Sequence, residues 1–201
     1  MTNQEYVEII KNTLTIEAAS IQNLTKTLSE EKVLKVMQAI GDCKGRVIVS
    51  GCGTSGVAAK KLVHTLTCVE RPALYLNPTD AVHGALGVIQ KDDVFILISK
   101  GGNTQELINL IPACKKKGAT LIGVTENDES VIAKQADILL KIKVEKEPCP
   151  FNMLATASTL AVMSVFDAIA IALMSYTKYT REQFLLIHPG GAVGEKLLAK
   201  Q

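Results

Sequence analysis

Five short apolar runs, repeated about every 25 residues between amphipathic stretches, constrain the fold of this chain more than any other feature. The runs have the length of buried strands: Arg46–Ser50, Ala73–Leu76, Val94–Ser99, Thr120–Thr125 and Asp137–Ile142. The stretches between them show helical spacing: Gly56–Val69, Ala81–Ile89, Thr104–Lys117 and Ser130–Ala136. This alternation predicts βαβ units in a parallel sheet that is covered by helices on both faces.

Further helices are expected before and after this region: Asn3–Thr25, Glu30–Ile40, Leu154–Tyr176, Thr180–Leu186 and a short helix after Pro189. We therefore predict an α/β protein, a three-layer α/β/α sandwich with a five-stranded parallel sheet and N-terminal helices. We expect residues 1–201 to form one domain, with residues 1–44 as a helical extension and residues 45–201 as the α/β core.

Composition disfavours several classes of partner. Nucleic-acid-binding surfaces are usually strongly basic or rich in aromatic side chains, whereas this chain has a net charge of +2 and 4% aromatic residues, so no nucleic-acid partner is expected.

The segment Leu154–Met174 is nearly long enough to cross a membrane. However, Asp167 lies well inside it at a cost of roughly 2.5–3.5 kcal/mol for insertion, so we expect a buried helix and no membrane association.

The cysteine and histidine spacing predicts a reduced, cytoplasmic protein without a metal site. The five cysteines are scattered and contain no C-x-x-C pair, and the three histidines are far apart. Met1–Glu17 is mostly polar and unlike a secretory signal.

Two glycine-rich loops with hydroxyl groups follow predicted strands, where ligands of open parallel sheets bind. The first, Gly51–Gly56, offers Gly53, Thr54 and Ser55, and the second offers Ser99, Lys100, Gly102, Asn103 and Thr104. Free N–H groups at a helix start suit a phosphate, although Ser55 could simply cap a helix after a glycine-rich turn. Neither loop matches the nucleoside triphosphate or dinucleotide motifs, so the pair predicts one small phosphorylated ligand.

Three side chains, those of Glu106, Glu147 and His188, could transfer protons, and each has a plainer alternative. Glu106 follows the second loop and could merely favour a helix dipole. Glu147 lies in a proline-rich loop after the last strand and could be a solvated acid. His83 and His188 could each fix a turn.

Five motifs together resemble the sugar isomerase (SIS) domain: Gly51-x-Gly-x-Ser-Gly56, Asp80-x-x-His-Gly84, Ser99-x-x-Gly-x-Thr-x-Glu106, Glu147-x-Cys-Pro150 and His188-Pro-Gly-Gly-Ala-x-Gly194. The last two, in this order, resemble the arabinose-5-phosphate isomerases more narrowly. The resemblance implies a flavodoxin-like, five-stranded parallel sheet and a homo-oligomer, a dimer or a homotetramer.

The resemblance also implies roles for individual residues. Ser55, Ser99 and Thr104 would hold the phosphate of a sugar substrate, and His83 matches an active-site histidine. Glu106, Glu147 and His188 fall on positions assigned to catalysis, with His188 reaching the site from a neighbouring subunit. No metal or organic cofactor is implied.

Three departures from the family pattern concern the substrate and regulation. Many arabinose-5-phosphate isomerases have Lys where this chain has Thr54, although the glucosamine-6-phosphate synthase isomerase domain carries Cys-Gly-Thr-Ser as here. A family serine is Gly101 in this chain, and we hypothesise that Lys100 partly replaces the lost phosphate contact. The nucleotide-sensing (CBS) pair that often follows is not expected.

The resulting expectation is an aldose–ketose isomerase of a phosphosugar, most simply arabinose 5-phosphate and ribulose 5-phosphate, acting through a cis-enediol. Glu147 is the preferred base, for which burial would need to raise its pKa, and Glu106 is the alternative. The alternatives are another phosphosugar enzyme, such as a 6-phospho-3-hexulose isomerase, and a non-catalytic phosphosugar-binding regulator.

Overall fold

The computed structural model describes residues 1–191 and Glu195, and its centre is an all-parallel sheet of five strands in the order β2-β1-β3-β4-β5. The strands are β1 Val47–Gly51, β2 Ala73–Tyr75, β3 Val94–Ile98, β4 Thr120–Thr125 and β5 Ile138–Lys141. This is the flavodoxin-like strand order, and it confirms the predicted sheet.

Helices precede, connect and follow the strands. Their bounds are α1 Asn3–Thr27, α2 Glu30–Gly41, α3 Gly53–Thr67, α4 Pro78–Val82, α5 Gln105–Ile108, α6 Ile111–Lys117, α7 Val131–Gln135, α8 Ala157–Tyr176 and α9 Arg181–Ile187. The short helix predicted after Pro189 falls mostly on residues 192–194 and 196–201, outside the described residues.

Two of the predicted helical stretches are each divided in the structure. The stretch 81–89 contains the end of α4 and a 3-10 helix, Ala85–Val88, separated by Gly84 at a φ of 112°. The stretch 104–117 is α5 followed by α6, which has Pro112 in its first turn. A proline lacks the N–H that a continuous helix would need there, so the chain starts a new helix.

Hydrophobic packing on both faces of the sheet produces the three layers. Val47 and Val49 point to one face and pack with α2, α3 and α8, whereas Ile48 points to the other and packs with α4 to α7. Strands β1 and β3 are buried at every position. Burial on both faces explains why the strands are apolar throughout rather than alternating.

Helix α8 is the segment that resembles a membrane span. By length and composition, it is the one helix among the described residues that could cross a membrane. It packs against α1, α2 and α3, and Asp167 forms an ion pair with Lys61 of α3. These contacts give the aspartate a partner within the protein.

A buried aspartate connects the starts of two central strands. Asp93 is 2% exposed, and its Oδ1 accepts a hydrogen bond from the Arg46 amide at 2.7 Å, next to β1. Its Oδ2 accepts one from the Gln90 amide, also at 2.7 Å. The carboxylate therefore satisfies two backbone donors at the amino edge of the sheet.

We predict that Asp93→Ala lowers the free energy of unfolding by about 1–3 kcal/mol, because both amides lose their acceptor. Urea unfolding followed by circular dichroism measures this change. The matched control is Asp92→Ala, an exposed neighbour that should have little effect. Equal stability of the two variants would contradict this role of Asp93.

Candidate active site

The predicted ligand loops meet at the carboxyl edge of the sheet. Gly51 at the end of β1 pairs in register with Ile98 at the end of β3. The loops that follow these two strands are therefore neighbours, and each leads into a helix. This is the crevice at which open parallel sheets bind ligands.

The first loop places Gly53, Thr54 and Ser55 in the first turn of α3. The N-cap is Cys52, which makes no side-chain cap bond, so the interpretation of Ser55 as a cap is wrong. The first N–H groups of the helix lack helical acceptors and can face an anion. A Cβ at Gly56 would lie 2.7 Å from the Gly51 carbonyl oxygen, which explains the glycine there.

The second loop is organised by Ser99, which is 4% exposed. Its hydroxyl accepts the Gly102 N–H at 3.1 Å and shares a 2.9 Å hydrogen bond with the Thr104 hydroxyl. The Asn103 side chain has a different role: its Oδ1 accepts a hydrogen bond from the Val131 amide at 2.9 Å, which connects the loop to the start of α7. Ser99 and Thr104 therefore lie together as predicted, whereas the Asn103 side chain serves the loop itself.

Glu147 is buried and makes contacts with two parts of the chain. Its Oε1 lies 2.6 Å from the Lys100 Nζ, and its Oε2 accepts the Thr156 amide at 3.0 Å and the Ser158 amide at 3.4 Å. The interpretation of Glu147 as a solvated loop acid is therefore wrong. The Lys100 ammonium contacts this carboxylate, and its predicted phosphate contact stays a prediction.

The protonation of Glu147 differs from the sequence-based expectation. Burial raises the pKa of this carboxyl, but hydrogen bonds from Lys100, Ser158 and Thr156, with the Lys100 charge, outweigh burial and lower the pKa overall. The expectation of a raised pKa is therefore wrong. Glu147 is instead a carboxylate at neutral pH, which is the form that can accept a proton.

A small cavity of about 50 Å³ lies beside this pair. Its polar lining comes from the first loop, the ends of two strands and the start of α8: Thr54, Ser55, Lys100, Thr125, Ser158 and Thr159. Apolar side chains at the ends of β3 and β4 also line it. Glu147 is not in the lining, but Lys100 and Ser158, which both line the cavity, each form a hydrogen bond with its carboxylate.

Glu106 and His83 lie at the same edge, but both are exposed. Glu106 is in α5 near Cys52, whose thiol pKa is raised by burial and then by the Glu106 charge. His83 ends α4, which packs against α5. Both can therefore border a ligand that sits over the loops.

His188 lies at the opposite edge of the sheet. Helix α8 has 20 residues, so its ends are about 29 Å apart, and α9 follows the far end. Tyr179 donates to the Cys68 carbonyl and Gln183 to Glu70, both in the loop before β2. The His188 ring stacks on Phe184, with its Nδ1 3.0 Å from the Phe184 carbonyl oxygen. Within one chain, His188 does not join the other site residues.

Sequence reasoning missed the supporting residues of Glu147. The Asn152 side chain accepts the Glu147 amide at 2.7 Å, and the Cys149 sulfur accepts the Met153 and Leu154 amides. No periodic pattern marks these contacts; the Glu147-x-Cys-Pro150 motif was the available signal.

Among the described residues, no group of three or more His, Cys, Asp or Glu side chains could hold a metal ion.

The strand order and the two loops define an open α/β domain with a crevice whose hydroxyl and N–H groups suit an anion. Residues 40–172 match the family model of the SIS domain, and the chain belongs to this family. The resemblance inferred from the five motifs is confirmed.

Two curated relatives are arabinose 5-phosphate isomerases. KpsF of Escherichia coli is 39% identical over 191 residues, which are 95% of this chain and 60% of the relative. KdsD of Pseudomonas aeruginosa is 38% identical over 198 residues, which are 98% of this chain and 60% of the relative. The chain therefore spans about three fifths of the length of these two relatives.

Two solved structures share the fold over nearly the whole chain. A candidate sugar-phosphate isomerase of Listeria monocytogenes has a TM-score of 0.93 and 60% identity, and covers 94% of this chain. An E. coli CFT073 protein in complex with arabinose 5-phosphate has a TM-score of 0.89 and 34% identity, with the same coverage. This chain covers 100% of both.

We predict that Gly102→Ala disrupts the second loop. Gly102 has a φ of 69°, and a Cβ there would lie 2.1 Å from the Ser130 hydroxyl oxygen. The midpoint temperature of thermal unfolding should fall, and the affinity for inorganic phosphate should decrease. The matched control is Gly101→Ala, where a Cβ meets nothing within 4 Å. An unchanged Gly102→Ala variant would show that the loop tolerates a side chain there.

Proposed function

We propose that this protein interconverts a phosphorylated aldose and ketose, namely arabinose 5-phosphate and ribulose 5-phosphate. The observation that carries the proposal is Glu147, a buried carboxylate bonded to Lys100 and Ser158, two residues that line a cavity with the Thr54 and Ser55 hydroxyls. The names of the curated relatives and the sugar-phosphate complex of the E. coli CFT073 protein support this substrate.

The phosphate is proposed to bind over the two loops. Ser55, Ser99 and Thr104 supply hydroxyl donors, and Gly53 and Gly102 allow the backbone to approach an anion closely. The phosphate lies several bonds from the reacting carbons. Its binding energy can therefore orient the sugar without taking part in the chemistry.

The proposed chemistry is a proton transfer between neighbouring carbons. A base takes the proton from C2 of the open-chain aldose, and the released electron pair forms a C1–C2 double bond while the carbonyl electrons move to O1. The O2 hydroxyl proton is lost, O1 gains a proton, and C1 receives the proton held by the base. The product is the ketose, and the carbonyl itself serves as the electron sink.

Glu147 is the proposed base, because its carboxylate is ionised and shielded from water. Glu106 is the alternative base and differs by its exposure to solvent. His83 borders the same edge and can contact the sugar. His188 is proposed to act on the ring oxygen or a hydroxyl proton from a neighbouring subunit.

A homo-oligomer, with a homotetramer as the specific proposal, is supported by unpartnered apolar side chains. Tyr6, Val7, Ile10 and Leu14 on the first half of α1 are between 41% and 61% exposed. An apolar groove of about 380 Å³ lies between α1, α2 and α8. Exposed apolar surface of this kind is typical of contacts between protein chains.

The five free thiols support the proposed cytoplasmic location.

We predict that the protein incorporates deuterium from heavy water next to the carbonyl carbon of arabinose 5-phosphate, as measured by NMR. Glu147→Gln should slow this exchange by about 10²- to 10⁴-fold, because an amide cannot accept the proton. Glu145→Gln, an exposed neighbour, is the matched control and should exchange normally. If Glu106→Gln abolishes exchange and Glu147→Gln does not, Glu106 is the base.

Two results of the same experiment would contradict the proposal. Exchange with hexose phosphates alone would favour the 6-phospho-3-hexulose type of isomerase. Binding of a sugar phosphate, seen as line broadening without exchange for any sugar, would favour a phosphosugar-binding regulator.

A second prediction concerns the shared site. Glu147→Gln and His188→Ala subunits are each expected to be inactive alone and to regain about one quarter of the wild-type activity after mixing. Half of the pairs that form at random are mixed, and each mixed pair holds one intact site out of two. Mixing Glu147→Gln with Ser99→Ala is the control without recovery, because both residues come from the same chain. Recovery only in the control, or in neither mixture, would count against a site shared through His188.

A further inference from the structure

Lys100 is the cationic partner of Glu147. The Lys100 side chain is 37% exposed, whereas the Glu147 side chain is completely buried. The distance of 2.6 Å between Nζ and Oε1 is that of a charge-assisted hydrogen bond. A buried carboxylate without a counter-charge is costly, so the ionised state of Glu147 depends on its neighbours.

The groups that face Glu147 contribute unequally. From α8 come the Thr156 and Ser158 amides, which contact Oε2 only. From α3, the cavity receives Thr54 and Ser55, which carry no charge. Lys100 is the one charged side chain among the described residues that line the cavity. It is therefore the source of positive charge at Oε1.

A phosphate contact would take Lys100 away from this carboxylate. The hydroxyls proposed to bind phosphate belong to Ser99 and Thr104, which bond to each other within the second loop. Lys100 instead extends to the start of α8, where Glu147 lies. A move of its ammonium to the phosphate would leave Glu147 buried without its counter-ion.

We propose that Lys100 is a positioning residue that keeps Glu147 charged and oriented, rather than a ligand of the substrate phosphate. The inference rests on the proposed function, in which Glu147 is the base. It makes the cation at position 100 part of the proton-transfer step: Lys100 holds the carboxylate, and the carboxylate takes the C2 proton.

The test compares Lys100→Met, which removes the charge, with Lys100→Arg, which keeps it. For Lys100→Met, the acid limb of kcat/KM with arabinose 5-phosphate should move up by about one to three pH units, because the opposite charge that favours the ionised carboxylate is lost. Inhibition by inorganic phosphate should be unchanged. Lys100→Arg should restore the wild-type limb, and Lys146→Met, an exposed neighbouring lysine, is the matched control.

A titration independent of turnover separates this inference from the proposed function. Glutamate labelled with ¹³C at the carboxyl carbon gives a Glu147 signal, identified by its loss in Glu147→Gln. Its midpoint should rise in Lys100→Met and not in Lys146→Met, even if no sugar is turned over. Should Lys100→Met fail to fold, Lys100→Gln takes its place in both measurements.

Two outcomes would overturn the inference. One is a Glu147 midpoint and an acid limb that stay at their wild-type values in the neutral variants. The other is a large loss of phosphate inhibition with an unchanged pH profile, which would assign Lys100 to the phosphate. A wild-type protein that exchanges no sugar, with a shifted Glu147 midpoint in Lys100→Met, would instead refute only the proposed function.

Discussion

The ion pair between Lys100 and Glu147 is the interaction on which the arrangement of the site depends. It joins the loop after β3 to the loop after β5, and Glu147 also accepts the first amides of α8. These three segments meet at one buried carboxylate. Because a buried charge is tolerated only when it is hydrogen-bonded and neutralised, the carboxylate requires all three to hold their positions.

Topology explains which site residues assemble within one chain. Every strand is parallel, so the loops that follow the strands share one edge, and the two predicted ligand loops are neighbours there because β1 pairs with β3. His188 lies at the amino edge of the sheet, because α8 starts at the carboxyl edge and leads the chain to the opposite one. A role for His188 in the proposed chemistry therefore requires a second subunit.

The sequence predicted the parts of the structure that depend on local pattern. Runs buried on both faces give continuous apolar strands, and Thr120–Thr125 was predicted to the residue. Helix starts were less certain: α3 begins at Gly53 rather than Gly56, because its N-cap is Cys52, a residue without the usual capping side chain. The direction of the Glu147 pKa shift was wrong, because it depends on Lys100, which is 47 residues away in sequence. Pairing over such a separation leaves no periodic signal.

The two adjacent glycines of the second loop show how a single position can be constrained beside a free one. Gly102 is pressed against Ser130, and its carbonyl oxygen accepts the Ile132 amide, so the loop and α7 are bound together at this residue. Gly101 faces open space, and its departure from the family serine therefore creates no packing defect. What the departure removes is one hydroxyl beside the loop. In the proposed function, Lys100 stays with Glu147, so the remaining hydroxyls and backbone amides would bind the phosphate and the positive charge would stay beside the proposed base.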